Sequence, residues 1–241
     1  MPHALILAGG ERASGEAAEE LGLATPMSKL GGKPILEHQI DILRDQAITN
    51  VLILAGDEID AIQEHFGDGS RFGVEVGYAV DYEPAGRSGA LRRAFELVPT
   101  GDEFVLAMNG DMLSLQPLRP LIRSHVRRAA LATMMLVPLV SRYGIVGLDR
   151  QGRVTGFAEK PLLRQWANGG LYVLATEFFR RLEDSGDPET VTFPRLAEEG
   201  SLSGFKSRAY WRSIETKADL ADVAAELAAA ALTRSAASRS T

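Results

Sequence analysis

Short apolar runs alternate with helix-periodic segments along the first half of the chain. Four runs have strand length, at residues 4–8, 51–55, 74–78 and 104–108. The segments at 34–44, 57–66, 88–97 and 118–127 place their apolar residues on one side of a helix. This β-α alternation predicts a parallel sheet with helices on both faces.

The second half has more strands and fewer helices. Its pattern predicts strands at 131–137, 144–148, 154–159 and 170–174, a helix around 177–182 and an alanine-rich helix at 217–233. Leu220, Val223 and Leu227 form one stripe of the last helix, and an exposed apolar face there would serve a homodimer. We predict one domain over residues 1–233 and a flexible tail over 234–241.

Composition excludes several classes of protein. The 26 basic and 32 acidic residues give a net charge of −6, which argues against a nucleic-acid partner. The chain has no cysteine, so disulfides and thiolate metal sites are excluded. No apolar run approaches the roughly 20 residues that span a bilayer, and the first run is too short for a signal peptide. We therefore expect a cytoplasmic protein without a membrane partner.

Two strand ends carry residues suited to phosphate chemistry. The first strand ends in Gly9-Gly10, and the fourth is followed by Asn109-Gly110-Asp111. Ligands of open α/β sheets bind beyond the carboxyl ends of the strands. Adjacent glycines let backbone N–H groups approach phosphate oxygens. The alternatives are an ordinary tight turn at the glycines and a turn-capping role for Asp111.

An ordered set of motifs resembles one enzyme family. The segments are Leu-Ala-Gly-Gly-Glu-Arg at 7–12, Gly-Lys-Pro-Ile-Leu-Glu at 32–37, Glu-Pro-Ala-Gly-Arg-Ser-Gly-Ala-Leu at 83–91, Asn-Gly-Asp at 109–111, Gly-Phe-Ala-Glu-Lys-Pro at 156–161, Asn-Gly-Gly-Leu-Tyr at 168–172 and Tyr-Trp-Arg-Ser-Ile-Glu-Thr at 210–216. In order and spacing they resemble the sugar-1-phosphate nucleotidyltransferases, and the short mannose or heptose guanylyltransferases look closest. The resemblance spans about residues 5–227. It implies a Rossmann-like three-layer α/β/α fold with a mixed, mainly parallel sheet.

The resemblance also implies a reaction and its residues. A nucleoside triphosphate and a sugar 1-phosphate would give an NDP-sugar and pyrophosphate, with Mg²⁺ neutralising charge. The implied nucleotide-binding residues are Ala8, Gly9, Gly10, Glu83, Gly86, Arg87 and Gly110. The implied phosphate-binding catalytic residues are Arg12 and Lys29, with Asp111 on the metal. Glu159, Lys160, Asn168 and Gly169 would hold the sugar phosphate. Because a carboxylate accepts from guanine, Glu83 favours GTP.

The chain departs from the family pattern in its loops. Arg12 comes two residues early, and Met27 stands where the loop lysine belongs, so that Lys29 would substitute for it. Arg87 replaces a threonine, either as a surface change or to restore positive charge to the loop.

A further departure affects the closing motif, where Ser213 replaces the second metal-binding aspartate. If the segment is extended, Glu215 shares a face with Ser213 about 6.6 Å along the strand, and we expect it to reach back as a metal ligand.

Two functions fit these residues. A working nucleotidyltransferase is preferred, because a protein that no longer binds a phosphosugar has little use for Lys160. The alternative is a catalytically silent relative that binds a sugar nucleotide or phosphosugar as a regulatory or partner subunit. A dinucleotide-dependent oxidoreductase is disfavoured, because no Gly-x-Gly-x-x-Gly follows the first strand.

Overall fold

The structure is a computed structural model that describes residues 2–9, 15–80, 86–99 and 101–238, with the backbone alone at 15–17 and 231–238. The strands in these ranges are β1 (Ala4–Leu7), β2 (Lys29–Leu30), β3 (Lys33–Pro34), β4 (Asn50–Ala55), β5 (Glu75–Val80), β6 (Phe104–Asn109), β7 (Met112–Ser114), β8 (Ala132–Val140), β9 (Ile145–Leu148), β10 (Val154–Ala158), β11 (Leu162–Ala175), β12 (Leu202–Lys206) and β13 (Trp211–Ser213). The helices are α1 (Gly15–Glu20), α2 (Ile35–Asp45), α3 (Ile59–Phe66), α4 (Gly86–Glu96), α5 (Leu118–Arg128), α6 (Thr176–Phe179), α7 (Thr192–Glu198) and α8 (Lys217–Ser238), with a 3₁₀ turn at Ser70–Phe72.

One seven-stranded sheet organises the chain, in the order β12-β8-β11-β6-β1-β4-β5. Strands β5, β4, β1 and β6 run parallel, and so do β8 and β12. Within this sheet β11 alone is antiparallel to its neighbours, β6 and β8. The expected Rossmann-like α/β fold with a mixed, mainly parallel sheet is confirmed.

Helices cover both faces of the sheet. Alternate residues of β1 point to opposite sides, so Ile6 packs with α2, α3 and α5, whereas Leu5 packs with α4, α6 and α7. Burial on both faces explains why these strands are continuous apolar runs rather than alternating ones. The result is the three-layer arrangement that the periodicity predicts.

The strand order reverses between β1 and β6. From β1 the chain moves outward to β4 and β5, then returns to β6 on the other side of β1. The loops after β1 and β6 therefore leave in opposite directions and open a crevice at the carboxyl edge. Asn109-Gly110-Asp111 and Ala8-Gly9 border this crevice.

A two-stranded arm stands apart from the sheet. β9 and β10 pair with each other and have no other strand partner in the described part of the chain. Many exposed large apolar side chains lie on or beside the arm, namely Leu139, Val140, Tyr143, Ile145, Val146, Leu148, Val154, Phe157 and Leu162. The arm thus contributes little to the core and is held mainly at its base.

Two expectations for the C-terminal half are wrong in detail. The helix expected at 177–182 is the single turn α6. The stripe of α8 is not an exposed face, because Val223 is 1% exposed and packs with Leu220, Leu227 and Ile35 in a core cluster of its own. A homodimer cannot use that stripe. α8 runs from Lys217 through Ser238.

Among the helices described, none has both the length and the apolar character needed to cross a membrane.

Candidate active site

The turns after β1 and β6 pack backbone against backbone. Gly110 donates its N–H to the carbonyl of Leu7 at 2.8 Å, and Ala8 donates to that of Leu54 at 2.7 Å. A methyl group at Gly110 would lie 2.9 Å from the Leu7 oxygen and 3.0 Å from Cα of Ala8. One at Gly9 would lie 3.1 Å from the backbone nitrogen of Gly56. Glycine is required at Gly110 because the neighbouring backbone occupies the space of a side chain.

A buried amide fixes the turn after β6. Gln39 of α2 is fully buried and donates through Nε2 to the carbonyls of Asn109 at 2.8 Å and Met112 at 2.6 Å. These two residues bracket Asp111, so Gln39 sets where the Asp111 backbone lies. Gln39 belongs to none of the sequence motifs, although a glutamine within the apolar stripe of a helix is a signal that could have revealed it.

Pairing of β7 with β13 brings the two halves of the expected metal site together. Ser213 lies opposite Met112, and Ile214 donates its N–H to the carbonyl of Asp111 at 2.7 Å. The hydroxyl of Ser213 donates to Oε1 of Glu215 at 3.0 Å. Glu215 therefore does reach back to Ser213 as its spacing suggested.

The start of α8 holds this segment in place. Asp219 accepts the backbone N–H groups of Thr216 at 2.9 Å and Glu215 at 3.2 Å, and it donates its own N–H to the Thr216 hydroxyl at 3.1 Å. This reciprocal pair is a capping box. Partial burial opposes ionisation of Asp219, but hydrogen bonds from Thr216 and Glu215 outweigh it and hold the pKa of Asp219 below its ordinary value. The anionic cap therefore fixes the backbone at Glu215.

The donors here suit a hard cation without forming a closed cage. No group of three or more His, Asp or Glu side chains within the described ranges is placed to bind a metal. Asp111, Ser213 and Glu215 offer oxygen atoms, which Mg²⁺ prefers. Mg²⁺ also keeps several waters and commonly takes one or two carboxylates plus substrate phosphates. The residues present fit such an open site.

The expected sugar-facing turn is wrong in form, because residues 168–170 make a β-bulge within β11, where the register with β8 shifts between Asn168 and Tyr172. This bulge, called the Asn168 turn below, contacts the turn after β6. A methyl group at Gly170 would lie 3.0 Å from Nδ2 of Asn109, so the two turns touch. The Asn168 side chain accepts a hydrogen bond from the N–H of Gly170 at 3.0 Å and donates one to the Tyr172 hydroxyl at 2.7 Å. The Trp211 indole donates to the carbonyl of Gly169 at 2.8 Å. Neither Tyr172 nor Trp211 had been assigned a site role from the motifs.

The first turn of α4 contacts the segment before α7. Arg87 contacts Oε1 of Glu189 through Nη1 at 3.1 Å, and its Nε lies 3.9 Å from Asp187. Ser88 donates its N–H to the carbonyl of Gly186 at 2.8 Å. Arg87 is therefore paired with two carboxylates, and its role in restoring positive charge to the loop stays a prediction.

Glu159 and Lys160 lie at the base of the arm, both exposed. Lys160 has φ +43°, a left-handed conformation that costs a non-glycine residue about 1–2 kcal/mol. On β8, the partners of Leu162 and Asn168 are Val140 and Leu136, about 13 Å apart along the strand. The structure therefore does not bring Lys160 into contact with the Asn168 turn.

Of the remaining expected site residues, Lys29 is described by the structure and three others are not. Lys29 is exposed in the β2–β3 hairpin, while Met27 is partly buried against the core. Gly10, Arg12 and Glu83 lie outside the described residues.

The fold and this crevice define a class of protein. A doubly wound sheet whose switch point carries glycine turns and a carboxylate is a nucleotide-binding α/β domain. The chain matches the family model described as nucleotidyl transferase over residues 3–230 and belongs to that family. The resemblance to sugar-1-phosphate nucleotidyltransferases is thereby confirmed.

Relatives of known name support the same assignment. The chain is 31% identical over 218 residues to a D-glycero-alpha-D-manno-heptose 1-phosphate guanylyltransferase of Aneurinibacillus thermoaerophilus, covering 88% of this chain and 92% of that one. It is 28% identical over 220 residues to a mannose-1-phosphate guanyltransferase beta-B of Xenopus laevis, covering 88% of this chain but only 60% of that relative. The crystal structure of HddC from Yersinia pseudotuberculosis superimposes with a TM-score of 0.73 at 22% identity, covering 94% of this chain and all of that one, which supports the fold.

Proposed function

We propose that the chain transfers the guanylyl group of GTP to the 1-phosphate of a manno-configured hexose or heptose and releases pyrophosphate. The observation that carries this proposal is the contact of the Asn109-Gly110-Asp111 turn with the Asn168-Gly169-Gly170 turn at the switch point. A nucleotide-side motif and a sugar-side motif from opposite halves of the chain thus border one crevice. The names of the relatives support the choice of guanine and of the sugar class.

The chemical step needs positioning more than covalent participation. An oxygen of the sugar phosphate forms a bond to the α-phosphorus of GTP, the α–β phosphoanhydride bond breaks, and its electron pair leaves with pyrophosphate. In our proposal, the backbone at Ala8, Gly9 and Gly110 approaches the nucleotide without a side chain in between. Arg12 and Lys29 contact the triphosphate as cations, which lowers the repulsion between the two anionic substrates.

Asp111 and Glu215, the latter hydrogen-bonded by the Ser213 hydroxyl, are the residues that would hold Mg²⁺. When bound, Mg²⁺ neutralises phosphate charge. The carboxylate of Glu215 compensates for the replacement of an aspartate by Ser213 in this proposal. Its backbone is already fixed by Asp219.

Lys160 is proposed to bind the phosphate of the sugar phosphate, together with Glu159 on the sugar. Because about 13 Å of strand separates their end of β11 from Asn168, this role requires the arm to approach the sheet. The arm has no strand partner in the described ranges beyond its own hairpin, so little pairing opposes such a movement. The left-handed backbone at Lys160 supports a functional role, since strained residues concentrate at such sites.

Calorimetric titration with GTP, ATP, UTP, CTP and dTTP, each with and without Mg²⁺, tests the proposal. We expect GTP to bind most tightly, to require Mg²⁺, and to bind weakly to Asp111→Asn. Pyrophosphate release should then follow addition of mannose 1-phosphate or the heptose 1-phosphate. If no triphosphate binds while a sugar nucleotide or a sugar phosphate does, the silent relative is the better description.

The assembly and location of the protein stay predictions from the sequence. A homodimer would have to use a surface other than the α8 stripe.

A further inference from the structure

Four side chains connect the first turn of α4 with the Asn168 turn. Arg87 contacts Oε1 of Glu189 at 3.1 Å, and the Tyr172 hydroxyl lies 3.5 Å from the same oxygen. Asn168 then donates to the Tyr172 hydroxyl at 2.7 Å and accepts from the N–H of Gly170 at 3.0 Å. The path starts at the first turn of α4 and ends in the sugar-side turn.

The Glu189 end of this path is attached to α4 at three points. Besides the Arg87 ion pair, Ser88 donates to the carbonyl of Gly186, and a methyl group at Gly86 would lie 2.8 Å from that same oxygen. Gly86 also has φ +64°. The first turn of α4 and the segment holding Glu189 are therefore closely packed.

Burial makes the contact between Tyr172 and Glu189 sensitive to the loss of either partner. Tyr172 is 3% exposed, and the second carboxylate oxygen of Glu189 is buried without a hydrogen bond to the described residues. Burial and the charge of Glu189 both raise the pKa of Tyr172, so its hydroxyl stays protonated and can donate to Glu189. If Arg87 moved away, it would leave a partly buried carboxylate with one weak donor, which is unfavourable.

The pair depends on the long side chain at position 87. The resembled family carries threonine at the position of Arg87, and a short hydroxyl side chain could not span the distance that the guanidinium covers to reach both Glu189 and Asp187.

We propose that Glu189 is a positioning residue that couples binding of the nucleotide beside α4 to binding of the sugar phosphate at the Asn168 turn. The inference rests on the proposed function. Ordering of Gly86–Ser88 by the nucleotide holds Arg87 on Glu189, which holds Tyr172 and through it Asn168. The second substrate then meets a turn that is already ordered, and by linkage the coupling is equal in both directions.

Calorimetry measures the coupling directly. The α,β-methylene analogue of GTP and mannose 1-phosphate are titrated separately, and each is then titrated in the presence of the other. In the wild type we expect each ligand to tighten the other at least about fivefold, the lower end of typical coupling. Glu189→Gln should bring that factor close to one, with smaller changes in the affinity of each ligand alone.

Glu199→Gln is the matched control, because Glu199 also pairs with an arginine, Arg181 at 2.7 Å, but does not contact Tyr172. This variant should keep the wild-type coupling. A coupling factor in Glu189→Gln equal to that of wild type would overturn the inference and leave the proposed function intact.

Hydrogen exchange gives a readout without ligands. In the free protein, Tyr172→Phe should accelerate amide exchange at the first turn of α4, and this acceleration should vanish when Glu189→Gln is already present. Unchanged exchange at residues 86–89 in Tyr172→Phe would contradict the inference. If wild-type protein binds neither substrate, the proposed function fails, and this exchange experiment alone decides whether the path exists.

Discussion

The hydroxyl of Ser213 donates a hydrogen bond to the carboxylate of Glu215 at 3.0 Å. Ser213 lies on β13 opposite Met112 of β7, the residue that follows Asp111. The neutral residue that we expect at a metal-ligand position is thus accompanied by a carboxylate that reaches back to it. In the proposed metal site, the negative charge therefore lies two residues along the chain from Ser213 and stays beside the β7–β13 pair.

Glu215→Gln should therefore weaken Mg²⁺ binding, so that turnover is lower and needs a higher Mg²⁺ concentration. The amide keeps the shape and a hydrogen bond with Ser213 but removes the charge that a divalent cation needs. Turnover measured against Mg²⁺ concentration checks this, with Glu226→Gln, which alters a carboxylate paired with Arg212, as the control. Unchanged Mg²⁺ dependence in Glu215→Gln would remove Glu215 from the metal site.

Gly110→Ala should lower the free energy of unfolding by about 1–3 kcal/mol or more, because its methyl group overlaps the backbone of Leu7 and Ala8. Gly156→Ala on the arm is the control, since nothing lies within 4 Å of its added methyl group, and its change should stay within about 0.5 kcal/mol. Urea denaturation measures both. Equal stability of the two variants would show that the turns after β1 and β6 can separate at little cost.

Lys160→Gly should separate stability from activity. Glycine relieves the left-handed backbone, which favours folding by up to about 1 kcal/mol. Loss of the ammonium should raise KM for the sugar phosphate roughly tenfold to a hundredfold, as expected for one charged hydrogen bond. Lys160→Arg retains the charge and should recover much of that loss. Steady-state kinetics with the sugar phosphate varied distinguish these outcomes, and a normal KM in Lys160→Gly would exclude the phosphate contact.

Asp219→Asn should destabilise the protein by about 1 kcal/mol at pH 7, since it weakens the cap of α8. The pKa of Asp219 is lowered in the folded state from an ordinary value of 3.8, so ionisation favours folding above that pH. The difference between wild type and variant should stay constant from pH 7 to about pH 4 and shrink as the pH falls through the folded pKa. Denaturation across this range tests the sign, with exposed Asp222→Asn as the control.

The fold was predictable because its signals are local. The runs at β1, β4, β5 and β6 are short, apolar and bounded by turns, and their order with α2, α3 and α4 follows from β-α alternation. The glycine turns and Asp111 were predictable from their places at strand ends. The burial of the α8 stripe was not predictable, because tertiary packing places it against a core cluster of this chain rather than against a partner.

The contacts that organise the site were not predictable in the same way. Trp211 reaches the Gly169 carbonyl across 42 residues of sequence, and Arg87 reaches Glu189 across 102. No periodicity or spacing encodes which indole meets which carbonyl. The charge of Arg87 is evident from the sequence. Its ion pair with Glu189 is not, because that pair depends on where a segment distant in sequence packs.

The antiparallel strand β11 has a consequence for how the protein is made. β6 lies at the centre of the finished sheet, yet its neighbour β11 comes roughly 60 residues later, which is several seconds of synthesis at about 5–20 residues per second. During that interval the apolar strand β6 is an edge with unpaired backbone groups, open to association with other nascent chains. Pairing of β11 closes this edge and, in the same event, brings the Asn168 turn to the turn after β6. The crevice therefore forms only when this edge of the nascent sheet is covered.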